Sequence, residues 1–291
     1  MIVPAVWWCK GRGTLPVVYW KRGWKEIVGS SQSLRTAWSK LNRDLAGQKF
    51  HLFLDFDGTL TPVGSRPELA RLSAEMSAKL LELKSFIPVA IVSGRDREDV
   101  AELVGVEDLF YAGCHGFDIQ DPRLPTLPKL DGQCSQEDIK VLGSFIADSI
   151  DKFDGVVLKI KKWAVAIHYR ALTPTQSESL EAIVKNIVSP LSNFRVGQGD
   201  QVIEITPSVP WDKGEAVLWL QSQFARLYGI GEAIYIGDDT TDEDAFRALG
   251  HNGLSILVAE EPRPSSAAYR VTNPEEVGWF LDQLLCLLRQ S

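Results

Sequence analysis

The chain has 291 residues, 45% hydrophobic and 24% charged, and its 38 Asp and Glu outnumber 31 Lys and Arg, for a formal net charge of −7. There is enough apolar material to offset the entropy of ordering, and no apolar run approaches the roughly 18 residues of a membrane span, so a disordered chain and a membrane-spanning one are set aside. The acidic balance argues against a nucleic-acid or anionic-membrane binder, yet a local basic patch can still take an anionic small molecule.

Residues 1–30 interleave Trp7, Trp8, Trp20 and Trp24 with Lys10, Arg12, Lys21, Arg22 and Lys25. Gly, Pro and the lack of periodicity break any helix, so this stretch is read as a poorly ordered extension rather than an aromatic-basic anchor. It has no long apolar stretch behind a basic end, so no secretory signal is read. Cys9, Cys114, Cys134 and Cys286 lack CxxC spacing, which argues against a disulfide framework or a zinc site. A reducing compartment follows, and a cytoplasmic location is expected.

Leu34, Trp38, Leu41 and Leu45 then fall at helical spacing, with Gly47 as a stop. HLFLD (51–55) is a short apolar run ending in acids and glycine, as a buried parallel strand does. PELARLSAEMSAKLLELK predicts a helix, PVAIVSGR a second strand and loop, REDVAELVG a helix and LFYAGCHG a third strand. AIYIGDD, EDAFRALG and GLSILVA resume the alternation near the end of the chain. The pattern predicts an α/β fold with a doubly wound parallel sheet.

The middle breaks this rhythm. DPRLPTLPKLDGQ reads as a hinge, followed by a helix, the strand-like VVLKI and WAVAIHYR, a second helix and QVIEITP. Residues 123–207 are therefore read as a smaller α/β unit inserted into the larger fold, with 31–122 and 208–291 forming the core. Hinges are expected near Asp121–Pro125 and Pro207–Pro210, and closure there would exclude bulk water.

Chemistry concentrates at strand ends, where open α/β sheets bind ligands. Asp55 and Asp57 are two apart and point the same way in an extended segment, and Gly58 lets the chain turn. Two close carboxylates repel, and a cation or a shared proton resolves that. Asp238 follows the apolar strand of IGDDTTDEDAF, so Asp55, Asp57 and Asp238 can converge on one hard cation, which Mg2+ suits. Asp242 and Glu243 open the next helix, where acids favour the first turn. Ser93-Gly94-Arg95 offers a hydroxyl and backbone N–H groups beside a helix start, as a phosphate cradle does, and Lys213 opens another helix.

DFDGTL, a serine after the next strand, a lysine and GDDTTDEDAF together resemble, in order, the four motifs of the haloacid dehalogenase superfamily. FLDFDGTLTP, AIVSGR, YAGCHGFDI, AIHYR, VIEITP, WDKGEAV and YIGDDTTDEDAF resemble most closely its trehalose-6-phosphate phosphatase family, across about residues 50–285. The resemblance implies a haloacid dehalogenase-type core with a cap, and Mg2+-dependent hydrolysis of trehalose 6-phosphate. Asp55 would be the nucleophile and Asp57 the general acid and base. Ser93 and Lys213 would hold phosphoryl oxygens. The metal would be held by Asp55, the carbonyl of Asp57 and Asp238, with Asp242 acting through water or hydrogen bonds.

It also implies a sugar-phosphate site drawing on Arg95, His115, Gly116, Lys161, Lys162, His168, Arg170 and Glu204, and a trehalose-6-phosphate synthase as pathway partner. Residues 155–170 contain Lys159, Lys161, Lys162 and Arg170 and no acid, a local positive patch. If WAVAIHYR is a strand, His168 and Arg170 share a face with Ala164 and Ala166, and Glu204 faces away from Ile203 and Ile205. Two positions depart from the family: Lys159 stands where it usually carries Glu, and Thr206 where it carries Arg. A related sugar phosphate, such as a glucosylglycerol phosphate, is the alternative substrate. Receiver-like phospho-aspartate signalling domains use similar residue types, but they are smaller and lack a large insertion.

Overall fold

The computed structural model of the chain describes residues 31–62, 70–127, 134–199 and 201–290. The tryptophan-rich stretch, and with it the expected extension, lies outside the described residues, as does part of the Pro-rich hinge segment.

The chain enters through β1 (Gln32–Ser33) and α1 (Leu34–Leu45). It then alternates: β2 (Phe50–Leu54), α2 (Ala74–Phe86), β3 (Val89–Val92), α3 (Arg97–Val104), β4 (Phe110–Gly113) and β5 (Asp118–Ile119). The helix expected from PELARLSAEMSAKLLELK starts later, at Ala74, because the Ser73 side chain accepts the Met76 N–H and caps it there. The middle segment gives α4 (Gln136–Ile150), β6 (Val157–Ile160), β7 (Val165–His168), α5 (Pro174–Val188), β8 (Phe194–Gly199) and β9 (Val202–Pro207). The chain closes with α6 (Lys213–Tyr228), β10 (Glu232–Gly237), α7 (Asp242–Leu249), β11 (Gly253–Val258), β12 (Tyr269–Val271) and α8 (Pro274–Leu288).

Eight strands form one sheet in the order β1-β12-β11-β10-β2-β3-β4-β5, parallel except at the β4–β5 edge. Every residue of β2, β3 and β11 is buried, which is why they read as continuous apolar runs rather than alternating ones. Leucines and aromatics of α1, α2, α3 and α8 cover one face, and α6 and α7 cover the other. On the first face Trp38 of α1 meets Trp279 and Phe280 of α8 edge-on, with ring centroids 5.7 and 5.8 Å apart.

The other four strands make an antiparallel sheet, β6-β7-β9-β8, with α4 and α5 packed on one face around Ile146, Ile167, Val184 and Ile205. Strand β8 is invisible to the apolar pattern because it carries Gly197 and Gly199. No described helix is long and apolar enough to cross a membrane.

Within the larger sheet β10, β2 and β3 are neighbours, with Ile236 beside Leu54 and Leu54 beside Ile91. Their carboxyl ends therefore deliver Asp238, Asp55 and Ser93 side by side.

Candidate active site

Lys213 is the hub of the site. Its helix is capped by Asp212, whose carboxylate accepts the Glu215 N–H at 3.0 Å. The Lys213 ammonium is 2% exposed and lies 2.9 Å from Asp55 and 2.7 Å from Asp242. Burial works against this charge, but Asp242 and Asp55 outweigh it and hold the lysine well above its ordinary range. Burial pushes Asp55 well up, with Asp242 and Asp238 adding repulsion that Lys213 only partly cancels. Two carboxylates share one ammonium, which leaves an excess negative charge in a dry place.

Asp242 is fully buried, and its carboxylate is already engaged. It accepts from Lys213, from the Tyr235 hydroxyl at 2.6 Å and from the N–H groups of Asp238 and Asp239 at 2.9 Å each. It anchors the loop after β10 rather than offering a free ligand.

Asp238 accepts from Thr59 Oγ1 at 3.3 Å, and burial with Asp242 pushes its carboxyl up to about 7. One ligand atom from each of Asp55, Asp238 and Asp242 falls within 4.8 Å of the others. Gly58, at φ +81°, makes room for this trio: a Cβ there would sit 2.0 Å from Asp238 Oδ2. An oxygen-only donor set, in which burial raises the proton affinity of Asp55 and Asp238, fits a hard divalent cation, which would relieve the repulsion that protons otherwise relieve.

Asp57 lines the same cleft as Asp55 but is not one of this trio. Both its oxygens accept from the Arg95 fork, Nε and Nη2 at 2.7 Å each. Arg95 also donates to Asp99 at 3.2 Å, and its own N–H bonds Ser93 Oγ at 3.2 Å. Ser93 itself is 1% exposed.

The turn after β4 is strapped to this loop: the Cys114 N–H bonds Arg95 O at 2.6 Å and the His115 N–H bonds Ser93 O at 2.9 Å. His115 takes a left-handed φ of +55°, which aims its ring at the antiparallel sheet. There Nε2 meets Glu204 Oε2 at 2.5 Å, while Lys161 Nζ bridges Glu204 Oε1 and Gly94 O at 2.7 Å each. Burial opposes the Glu204 charge, but His115 and Lys161 outweigh it and hold its carboxyl below the usual range. The second sheet is thus joined to the strand-end loops through charge-assisted bonds.

Asp55, Asp57, Ser93, Arg95, His115, Lys161, His168, Glu204 and Lys213 all line one cleft of about 760 Å³. Three expected sugar-site residues do not line it. Lys162 turns to Asp118, 3.0 Å from both carboxylate oxygens, because it lies one position beyond Lys161 in the turn. Gly116 packs instead: its carbonyl accepts from Trp211 Nε1 at 2.9 Å and it lies against Ala216 of α6. Arg170 is exposed in the turn after β7, since that strand ends at His168. The sequence pattern does not signal Tyr235, although a hydroxyl in a buried strand must find a partner. Nor does it signal Arg263, which donates to Asp238 O at 2.6 Å.

A sequence model of the family described as trehalose-phosphatase matches residues 53–275. A probable trehalose-phosphate phosphatase of Oryza sativa subsp. japonica is 36% identical over 252 residues, 84% of this chain and 68% of the rice protein. The trehalose 6-phosphate phosphatase RA3 of Zea mays is 33% identical over 82% of this chain and 70% of its own. Two Mycobacterium tuberculosis proteins named as uncharacterized glycosyl hydrolases are 35% identical, and this chain spans about a fifth (20%) of their length. Among solved structures, the C-terminal domain of a Candida albicans trehalose-6-phosphate phosphatase superposes with a TM-score of 0.71 over 90% of this chain and 99% of that one, at 22% identity, a likeness of fold. With the family model spanning both the strand-end acids and the antiparallel insertion, the chain belongs to the trehalose-phosphatase family.

Proposed function

We propose that this protein hydrolyses trehalose 6-phosphate to trehalose and phosphate through an aspartyl-phosphate. The observation that carries the proposal is the buried Lys213 held against Asp55, with Asp57 and Ser93 on the same cleft. A carboxylate oxygen of Asp55 attacks phosphorus and the bond from phosphorus to the sugar oxygen breaks. Asp57 gives that oxygen its proton, then takes one from the water that attacks the aspartyl-phosphate, which releases phosphate and frees Asp55. Lys213 and Ser93 hold the phosphoryl oxygens and offset their charge.

Mg2+ would be held by Asp55, the carbonyl of Asp57 and Asp238, with Asp242 fixing the loop. When bound it supplies the positive charge that lets an anionic nucleophile approach an anionic ester. Residues 31–122 and 208–291 form the catalytic core in this reading, and 123–207 the cap that reads the sugar through Glu204, Lys161, His115 and His168. The protein would act in the cytoplasm on the product of a trehalose-6-phosphate synthase.

A phosphate-release panel over sugar phosphates, with Mg2+ and with a chelator, tests reaction class and substrate together. The expected result is chelator-sensitive release from trehalose 6-phosphate, abolished in a folded Asp55→Asn protein. Turnover retained in that variant would sink the mechanism. Lys159 and Thr206 favour one second reading, a related sugar phosphate such as glucosylglycerol phosphate, and the same panel would rank it first.

A further inference from the structure

The acids around the cleft already have partners. Glu204 is taken by His115 and Lys161, Asp99 by Arg95, and Asp96 by the Lys162 N–H at 3.0 Å. Lys159 and His168 line the same cleft, and among the described residues neither side chain makes a hydrogen bond or an ion pair. Strand pairing explains their common direction. Lys159 pairs with Ala166, His168 pairs with Val157, and so the two are diagonal neighbours on one face of β6 and β7. Along the same rows, Gly197 stands beside Glu204 and Gly199 beside Val202. A Cβ on Gly197 would meet nothing closer than 3.7 Å, so there is room there, whereas one on Gly199 would lie 2.8 Å from Val202 Cγ1. Burial and the Lys161, Lys159 and Arg170 charges disfavour a proton on His168 and outweigh Glu204, a carboxylate already held by His115 and Lys161.

We infer that this end of the cleft is a subsite for an anionic group, formed by Lys159 and His168 beside Gly197 and Gly199. The ligand class is a glycosyl phosphate whose far sugar or aglycone carries a second acidic group, a carboxylate in the simplest case. The inference rests on the proposed reading in one respect, that the reacting phosphate lies at Asp55. A carboxylate at the other end would then meet the Lys159 ammonium and accept from the His168 ring. The same chemistry could be met by a free dicarboxylate, so the test has an arm for each source.

The first arm compares trehalose 6-phosphate with the same disaccharide phosphate oxidised to a uronic acid on its non-phosphorylated glucose. Reversing the Lys159 charge in Lys159→Glu should shift the kcat/KM ratio of acid to neutral substrate by about thirtyfold or more against the acid, with Lys159→Gln in between. The second arm titrates malonate into metal-free protein by calorimetry, where binding to wild type and loss in Lys159→Glu mark a free anion as the source. Lys159 is exposed, so both variants should melt with wild type. A ratio within threefold of wild type, together with unchanged malonate heats, overturns the subsite. If neither disaccharide releases phosphate, the proposed function fails instead, and the malonate arm alone decides the subsite.

Discussion

Arg95 holds both oxygens of Asp57 in a fork, with Nε and Nη2 each 2.7 Å away. A planar guanidinium can fix the plane of a carboxylate in a way that an ammonium cannot. In the proposed mechanism Asp57 must be aimed at the leaving oxygen to pass it a proton, and one prong would open as it does so. Acid–base assistance contributes roughly 10²–10⁴-fold, so Arg95→Ala should lower kcat by about 10²-fold. Arg95→Lys should recover only part of it, and adding Arg95→Ala to Asp57→Asn should cost little more. Steady-state kinetics on the two Arg95 variants, Asp57→Asn and the double variant check this, and a full kcat in Arg95→Ala would remove the fork from the mechanism.

The charge at Lys213 predicts a stability effect separable from catalysis. Lys213→Met leaves Asp55 and Asp242 buried without their common partner, and Tyr235 donating into an unbalanced cluster. Breaking one side of a buried pair typically costs about 3–5 kcal/mol, which denaturant unfolding would read. Mg2+ should restore part of it by neutralising the same acids. A variant as stable as wild type without metal would mean that protons already neutralise this cluster.

In the proposed metal site, Asp238 would set the pH dependence of Mg2+ binding. Burial and Asp242 raise its carboxyl to about 7, against roughly 3.9 for a free side chain. The folded, metal-free protein therefore keeps a proton between about pH 4 and 7 that the unfolded chain releases, so this group's contribution to stability falls as pH rises through that window. A cation competes with that proton. Mg2+ binding at pH 6 should release protons, seen as a dependence of the calorimetric heat on buffer ionisation enthalpy, and the release should fade above pH 8. No buffer dependence at pH 6 would place Asp238 outside the metal site.

Why some of this was legible in the sequence and some was not follows from how local each feature is. Asp55, Ser93 and Asp238 sit at the ends of apolar runs, whereas the strand order that makes β10, β2 and β3 neighbours is set by tertiary packing. The antiparallel insertion announced itself by breaking the alternation. Side-chain direction in turns did not, since Lys161 and Lys162 are consecutive yet bond Glu204 and Asp118 on different sides. Arg170 shares a face with His168 only if the strand runs on, and it ends at His168. The contacts of Tyr235 and Arg263 join segments far apart in sequence, or depend on a loop whose path only tertiary packing fixes.

Gly116 separates packing from substrate contact most cleanly. Its φ is +91°, and a Cβ there would lie 2.2 Å from Ala216 Cβ on the first turns of α6, the helix that Lys213 opens. Left-handed backbone and overpacking each cost about 1–3 kcal/mol, so Gly116→Ala should destabilise by roughly 2–6 kcal/mol. It should also lower kcat, because α6 must shift and carry Lys213 away from Asp55. Adding Ala216→Gly removes the clash and leaves the backbone strain, so the double variant should recover part of the stability and most of kcat. Were Gly116 also a sugar contact, the double variant would regain the same share of stability and still keep a raised KM.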